Sequence, residues 1–447
     1  MPVTLSGLIS GISENGCGFL HARGMNIEVA GTVPGDFAEV EIIVPGRGKR
    51  SGKGKLVLLR RSSPERIPQK ELCPYQAECG GCAFGLLREK AQLALKRDML
   101  GSALKKAGIK INWQPQIVPA DPGITRFKSI RYFGTSEGRV IQGFYHSESH
   151  IVENVAQCPR ECAWFGAFAS EIASLANENG VRAYDEISEE GVLRSVMMRD
   201  CQNGETMAVL SYKGRLDERF VKELTSLSAR FGVKSFWIAR NDSDGNRVIC
   251  GSPELISGER SVKARLGNFC YSVGPLSFLQ VNYPVAERLY SAALEWCGRD
   301  PDATALDLCC GAGAMTLPLS RAFGRVIGVE IIEEAVEAAK TNAMLNGVTN
   351  ADFIASDFNK VLPDLIDDRV RAVIADPSRR GLGAQCCQCL WKLRSGSRVT
   401  LIFCGLKALE RDLYEVMKGG FIVHDAKGFD MFPGTSGLES LVLLEKK

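Results

Sequence analysis

Residues 305–330 read ALDLCCGAGAMTLPLSRAFGRVIGVE, and the fold of the chain turns on how they are read. Ala305–Leu308 is a short apolar run of the kind that makes a buried parallel strand. It breaks at Gly311-Ala312-Gly313 and resumes as a helical pattern through Leu317, Leu319 and Ala322, which Gly324 is expected to end. Val326–Val329 is a second apolar strand, and it stops on Glu330. Strand, glycine turn, helix, strand and acid make a nucleotide-binding βαβ unit, with the acid placed to hold ribose hydroxyls.

The same alternation continues on both sides. Ser277–Asn282 leads into a helix over Pro284–Trp296, with its proline near the start. Downstream come a helix over Glu333–Leu345 and a strand ending near Asp357. Two more strands follow, Val373–Ala375 before Asp376 and Arg398–Phe403 before Cys404. Phe421–Asp425 and Leu438–Leu444 close the sheet as an antiparallel pair. Such a doubly wound sheet takes its ligands at the carboxyl ends of the strands. Glu330, Asp357, Asp376 and Cys404 all fall there. A dinucleotide site asks for a third glycine where Thr316 stands, and Asp307 precedes the glycines instead. Asp-x-x-x-Gly-x-Gly with a later acid resembles the S-adenosylmethionine (SAM) site of Rossmann-like methyltransferases. The bland alternative is a βα turn with no ligand.

At 447 residues the chain exceeds one hydrophobic core, so two or three domains are expected. Hydrophobic content of 45% and charged content of 24% are those of a globular protein, and no apolar run is long enough to cross a bilayer. The start MPVTLSGLIS lacks the basic and apolar regions of a signal peptide, so a cytoplasmic protein with no membrane partner is the expectation. In that compartment sixteen cysteines read as thiols, ligands or a nucleophile rather than as a disulfide framework. The sequence specifies no oligomeric state. Net charge is only +3, but Arg47, Lys49, Arg50, Lys53, Lys55, Arg60, Arg61, Arg66 and Lys70 form a basic stretch opposed by Glu65 alone. Such a stripe can neutralise phosphates; a solvated glycine-rich loop is the plainer reading.

Residues 1–62 read as five short strands, from Val3–Ile9 to Leu56–Leu59, with turns at Glu14-Asn15-Gly16, Arg23-Gly24 and Pro34-Gly35-Asp36. An OB-like barrel suits them. Next, Cys73, Cys79 and Cys82 lie within ten positions among glycines, a loop able to wrap a metal. A fourth thiolate has to come from elsewhere, and Cys158 and Cys162 are the candidates. An iron–sulfur cluster and a closed zinc site both accept such a set. Residues 63–265 read as a central α+β domain. Its elements are a helix over Arg88–Lys106, strands near Lys128–Phe133, Val140–Tyr145, Ile151–Val155, Val192–Arg199, Thr206–Ser211, Ser235–Ile238 and Arg247–Ile249, and a helix over Glu218–Phe231. Residues 266–447 form the Rossmann-like domain.

Taken together, the four cysteines, Gln280-Val281-Asn282, Asp307–Gly313, Asp376-Pro377, Cys404 and Met431-Phe432-Pro433 with Glu439-Ser440 resemble the RNA 5-methyluridine methyltransferase family, across nearly the whole chain. The first segment, with its Val-Pro-Gly-Asp turn, resembles the TRAM domain of RNA-modifying enzymes. The resemblance implies a multidomain protein with a SAM-dependent α/β methyltransferase domain, acting on uridine C5 in RNA, ribosomal RNA being favoured. It implies Cys404 as nucleophile and Glu439 as the base for the C5 proton. Gln280, Cys309, Gly311, Gly313, Glu330 and Asp357 line the SAM site, and Asp376 lies between cofactor and target base. It further implies that Cys73, Cys79, Cys82 and Cys158 hold a 4Fe–4S cluster, zinc being the alternative. Three motifs depart from the family. Phe403-Cys404-Gly405-Leu406 replaces Ser-Cys-Asn-Pro, Ser378 stands in the Asp-Pro-x-Arg motif, and Cys309 replaces an aromatic.

Uracil C5 is too weak a nucleophile for a sulfonium methyl until a thiolate has added to C6, and a base must then remove the C5 proton so that the thiolate can leave. One cysteine and one base on separate strands satisfy that requirement. Their plainer readings are a small buried hydrophobe for Cys404 and a solvated strand residue for Glu439. Cys386, Cys387 and Cys389 sit in a helical apolar setting that favours packing. Three rivals stand beside this one: an RNA-binding protein with an inactive methyltransferase domain, an enzyme of transfer RNA uridine, and a cytosine-C5 enzyme. The last typically has Pro-Cys where Asp376-Pro377-Ser378 stands.

Overall fold

The computed structural model describes residues 4–22, 24–45, 51–110, 112–243 and 248–447. Arg47, Lys49 and Arg50 of the basic stretch lie outside the described residues, as do Val3, Arg23 and Arg247 of the expected strands and turn. Five strands close a barrel: β1 (Thr4–Ile12), β2 (Gly18–Ala22), β3 (Met25–Val29), β4 (Phe37–Pro45) and β5 (Ser51–Arg61), in the order β1-β2-β3-β5-β4. Alternation sends Ile9, Leu20, Ile27, Val29, Ala38 and Val40 into its small core. Asp36 of the Pro-Gly-Asp turn is buried. It accepts from the Val33 and Ser63 amides at 2.8 and 2.9 Å and from Arg66 at 2.5 Å, which locks the barrel to the chain that follows. Arg60 pairs with Glu39 and Lys53 with Glu148, so three cations of the basic stretch serve the protein itself. Lys55, Arg61 and Lys70 remain exposed.

Helix α1 (Glu89–Lys106) buries Leu100, Ala103 and Leu104 in the core of the final sheet, and β6 (Gln116–Val118) extends that sheet at its edge. The first part of segment 63–265 is therefore built onto the C-terminal domain. The rest forms its own layer pair: β7 (Lys128–Ser136), β8 (Arg139–Tyr145), β9 (Val152–Asn154), α2 (Ala163–Glu178), β10 (Leu193–Asp200), β11 (Thr206–Tyr212), α3 (Glu218–Arg230), β12 (Ser235–Arg240) and β13 (Glu254–Gly258). The strand order is β13-β12-β11-β10-β7-β8-β9, with Phe165 and Phe168 of α2 and Phe220 of α3 in the core. Of the strand expected at Arg247–Ile249, the two described residues are not in a strand. Val248 and Ile249 lie in a bend, where the Asn241 side chain takes the Val248 carbonyl, and β13 fills the sheet edge.

A hairpin, β14 (Val262–Leu266) and β15 (Phe269–Val273), then leads into α4 (Tyr283–Cys297). The last domain runs β16 (Asp300–Leu308), α5 (Thr316–Leu319), β17 (Phe323–Glu330), α6 (Glu333–Leu345), β18 (Ala351–Ala355), α7 (Phe358–Leu365), β19 (Val370–Ala375), α8 (Ala384–Leu390), β20 (Arg398–Phe403), α9 (Leu406–Met417), β21 (Phe421–Phe429) and β22 (Glu439–Lys446). Its eight strands order as β18-β17-β16-β19-β20-β22-β21-β6, β22 being antiparallel to both neighbours. One expectation is corrected. The helix after the glycine turn is a single turn, and Gly324 belongs to β17 rather than ending a helix. After Ser320 the bonds tighten to i−3, from Arg321 to the Pro318 carbonyl and from Ala322 to the Leu319 carbonyl, and Gly324 lies so close to the Pro301 carbonyl that a Cβ would sit 2.1 Å from its oxygen. Chain order reverses between β16 and β19, so the crevice beyond their carboxyl ends is the binding position of this topology. No helix among the described residues is long and apolar enough to cross a membrane.

Candidate active site

The crevice is built from strand ends. Asp307, next to last in β16, is buried and accepts a 2.5 Å hydrogen bond from Thr316 Oγ1; burial nevertheless pushes its carboxyl up to about 7. The chain then turns through Cys309, whose φ of 65° is left-handed. Gly311 donates its amide to Glu330 Oε2 at 3.1 Å, and the Ile331 and Ile332 amides bind Glu330 Oε1 at 2.8 and 3.0 Å. Three amides thus fix the acid that ends β17. No protein atom lies within 4 Å of where a Gly311 side chain would begin, so this backbone faces open space. Ile331 and Ile332 beside it are exposed apolar groups. Asp357 caps α7 through the Asn359 amide at 2.9 Å. Burial raises the Cys309 thiol, and then the carboxylates of Glu330, Asp307, Asp376 and Asp357 raise it further. Glu330, Asp307, Asp376 and Asp357 therefore lie around one turn, in which Gly313 is left-handed as well.

The expected nucleophile and base sit on the next strands. Phe403 of β20 pairs with Ser440 of β22, so the antiparallel register sets Cys404 opposite Glu439. Cys404 is half-buried, directly ahead of α9. Burial, then the Glu439 and Asp376 carboxylates, push its thiol up to about 11, while Arg379 acts the other way. Glu439 is pushed up to about 8 by burial and then by Asp376, again opposed by Arg379, and its Oε2 is buried with no hydrogen-bond partner. Asp376 is raised by burial to about 7, against a hydrogen bond from the Gln280 side chain. Gln280 also bonds Tyr290. Cysteine, two carboxyls, one guanidinium and one amide therefore meet at the ends of β19, β20 and β22. Arg379 was visible only as the last residue of Asp-Pro-Ser-Arg, and Tyr290 carried no signal beyond being an aromatic on a helix.

The loop that delivers Glu439 is pinned from outside the sheet. Lys96 of α1 pairs with Asp430 at 2.5 Å and donates to the Phe432 carbonyl at 3.2 Å; Gln92 accepts the Gly434 amide at 2.9 Å. From the cysteine loop, the Phe84 amide donates to Gly434 O at 2.8 Å. A Cβ on Gly434 would stand 3.3 Å from Cys82 Sγ. Cys73, Cys79, Cys82 and Cys158 line one small cavity with Tyr75, Phe144, Val155 and Arg126. The Gly81 amide donates to Cys79 Sγ at 3.4 Å, and Arg126 donates to Gly81 O at 3.1 Å. Cys162 is buried on another side, toward Asp200. Among the described residues, no three His, Cys, Asp or Glu side chains are arranged around a single metal ion. Cys386, Cys387 and Cys389 are buried in α8 as packing residues. His146, His150 and His424 pair with Glu153, Glu186 and Glu445.

Residues 191–447 match the profile of the tRNA (uracil-5-)-methyltransferase family. The chain belongs to this family. An uncharacterized RNA methyltransferase of Halalkalibacterium halodurans is 30% identical to it, with 98% of this chain and 96% of the relative covered. One from Clostridium tetani is also 30% identical, with 98% and 95% covered. The protein is an RNA (uracil-5-)-methyltransferase. The crystal structure of Pyrococcus abyssi tRNA (uracil-54, C5)-methyltransferase in complex with S-adenosyl-L-homocysteine shares its fold, with TM-score 0.76, 22% identity, and 98% and 100% of the two chains covered.

Proposed function

We propose that this methyltransferase modifies a uridine of ribosomal RNA, with SAM as methyl donor, Cys404 as nucleophile and Glu439 as base. The observation that carries the reading is the register of β20 and β22, which faces one thiol and one carboxyl across a crevice that also opens on the glycine turn. SAM suits that turn. Glu330 is fixed to take ribose hydroxyls, Gly311 exposes bare backbone, and Ile331 and Ile332 offer an apolar surface to adenine. SAM supplies an electrophilic methyl on a sulfonium.

Cys404 adds as thiolate to C6, and its electron pair moves through C5 toward O4. Arg379 and the start of α9 favour the thiolate against the burial that disfavours it. C5 then forms its bond to the methyl carbon as the methyl–sulfur bond breaks. Glu439, in its carboxylate form, takes the C5 proton, the C5–C6 double bond re-forms, and the C6–sulfur bond breaks. One proton is released per turnover. A carboxyl near 8 is a stronger base than an exposed glutamate, which suits removal of a carbon-bound proton. Asp376, held by Gln280, lines the pocket between donor and base.

We assign the four cysteines to a 4Fe–4S cluster, zinc being the other metal such thiols take. What supports the assignment is the chemistry of the donors: four thiols from two segments line one cavity walled by Phe144, Val155 and Tyr75, and a backbone amide reaches one sulfur, although no three of them are gathered around a single ion. Methyl transfer moves no electrons, so the group's contribution is to tie the cysteine loop, Cys158 and the Gly434 turn together. The N-terminal barrel is read as a TRAM-type RNA platform, with Lys55, Arg61 and Lys70 facing solvent. A transfer RNA uridine is the second reading, supported by the names of the family and of the Pyrococcus abyssi enzyme.

Incubation with SAM and RNA substituted with 5-fluorouridine is expected to leave a covalent adduct on a denaturing gel. No adduct, or an undiminished one with Cys404→Ala, would sink the mechanism. Methylated nucleosides in ribosomal and transfer RNA, compared with and without the gene, decide the target, and iron and sulfide content decides the metal.

A further inference from the structure

A cavity of about 540 Å³ opens in the central domain, on the sheet face away from α2 and α3, lined by Tyr132, Tyr145, His150, Tyr184, Glu186 and Arg194 among others. That volume suits a small organic ligand. Tyr132 and Tyr145, on neighbouring strands, stack with ring centroids 4.1 Å apart, and His150 continues the row 5.2 Å beyond. Arg194 lies over the Tyr184 ring at 4.6 Å, held by the carbonyls of Asn241 and Ser243. His150 pairs with Glu186 at 2.5 Å. Ile151 and Ile187 stand beside it 65% and 95% exposed, apolar side chains left for a ligand to cover.

The charges say what kind of ligand. Asp185 and Glu186 face Arg194 and His150, a near balance that offers a phosphate little. A flat, uncharged heterocycle gains from every part of it: π-faces to stack on, a guanidinium, and carboxylates that accept from an exocyclic amine. Position says where such a ring would come from. On β7, Lys128 lies four residues before Tyr132, roughly 13 Å along the strand and on the same face. Lys128 pairs in register with Arg199, whose Nη2 donates to the Ser277 carbonyl at 2.7 Å, three residues before Gln280. Arg199 Nε and Nη1 have no hydrogen-bond partner, and neither cation has a carboxylate among the described residues. Arg199 is fully buried, so this pair ties β7 and β10, the strands under the cavity, to the segment that leads to Gln280.

We propose that this cavity receives a second unpaired nucleobase of the RNA substrate, one bearing an exocyclic amine, while the target uridine lies at Cys404. The assignment rests on the reading of the protein as an RNA methyltransferase and adds a recognition point to it. The cysteine loop supports the pocket from behind. The Gly80 amide donates to Tyr145 O at 2.9 Å, and Phe144, the next side chain of β8, lines the cysteine cavity.

The test uses the full chain and oligouridylate carrying one central 2-aminopurine. Stacking is expected to quench the probe, and Tyr145→Ala is expected to abolish the quenching and weaken binding roughly tenfold. Glu186→Gln, on the exposed rim, is expected to keep the fold and lose the preference for an adenosine-containing over an all-uridine oligomer. Both variants are expected to form the 5-fluorouridine adduct at saturating RNA, whereas Cys404→Ala loses the adduct and keeps the quenching, so the two assignments fail separately. Quenching unchanged by Tyr145→Ala, no base preference in the wild type, or a preference intact in Glu186→Gln would overturn the proposal. Equally tight binding of the free 2-aminopurine nucleotide would overturn it too, by assigning the cavity to a mononucleotide.

Discussion

Buried charge is handled in two ways within this molecule. Lys96–Asp430 and Arg131–Glu161 are fully buried ion pairs at 2.5 and 2.6 Å, and Arg131 also donates to Gln142 at 2.8 Å. Asp307, Asp376 and Glu439 are carboxyls crowded at the strand ends without a salt bridge, raised to about 7, 7 and 8. Asp430 and Glu439 are nine residues apart, so the contrast is not one of region or solvent. Where charge holds the fold, the protein supplies the partner. At the crevice no salt-bridge partner is supplied among the described residues, and burial raises the carboxyls instead.

The sharpest break in that contrast removes the proposed nucleophile and base. Cys404→Ala is expected to lose methylation to background in an assay of labelled methyl transfer, with the fold intact, since a half-buried thiol supports little packing. Glu439→Gln is expected to lose turnover differently. Addition and methyl transfer proceed, elimination does not, and a methylated protein–RNA adduct accumulates on unmodified RNA, resolved on a denaturing gel.

The structural pair should respond in the opposite currency, stability. Lys96→Met leaves Asp430 buried without its cation, at a cost of about 3–5 kcal/mol in urea unfolding. Adding Asp430→Leu is expected to recover most of it, because what destabilises is the orphaned charge rather than the missing bond.

The catalytic sheet was legible because period and punctuation agree there. Apolar runs stop on Glu330, Asp376 and Cys404, and those stops are strand ends. The βαβ helix was overread because the apolar spacing of Leu317, Leu319 and Ala322 runs on past Ser320, where the chain tightens to i−3 bonds and enters β17. The long-range features were invisible. α1 reads as an amphipathic helix whichever domain it serves, and its attachment to α9 depends on tertiary packing. Cys404 and Glu439 could be named through family motifs, but their facing each other is a matter of strand register, which two apolar runs do not specify. Arg379, Tyr290 and the aromatic cavity join segments too far apart in the chain for any local pattern to record.

pH sharpens the comparison. Glu439 titrates near 8 in the fold and near ~4.3 in the unfolded chain. Between those values the unfolded state is ionised and the folded state keeps its proton, so this group lowers stability as pH rises toward 8 and no further above it. Glu439→Gln removes that penalty. The variant is expected to match wild type near pH 4 and to exceed it by roughly 1–3 kcal/mol at pH 8 in urea unfolding. Wild-type kcat/KM is expected to rise through pH 8 as the base ionises.

The smallest effect concerns the turn rather than the carboxyls. Cys309 is held left-handed at φ 65°, a conformation that costs an L-residue roughly 1–2 kcal/mol. Glycine removes that strain but brings roughly 0.5–1 kcal/mol of chain entropy to be lost on folding. Cys309→Gly is therefore expected to stabilise by under ~1 kcal/mol, read as a small upward shift of the urea midpoint. If the turn's contribution to SAM is its backbone path, donor affinity measured by calorimetry should stay within about twofold, since glycine adopts the same path without strain. A larger loss would mean that the thiol itself touches the donor. Either result separates the two ways a site can be held away from its relaxed state: by unmatched charge, which the carboxyls carry, and by backbone strain, which this one cysteine carries.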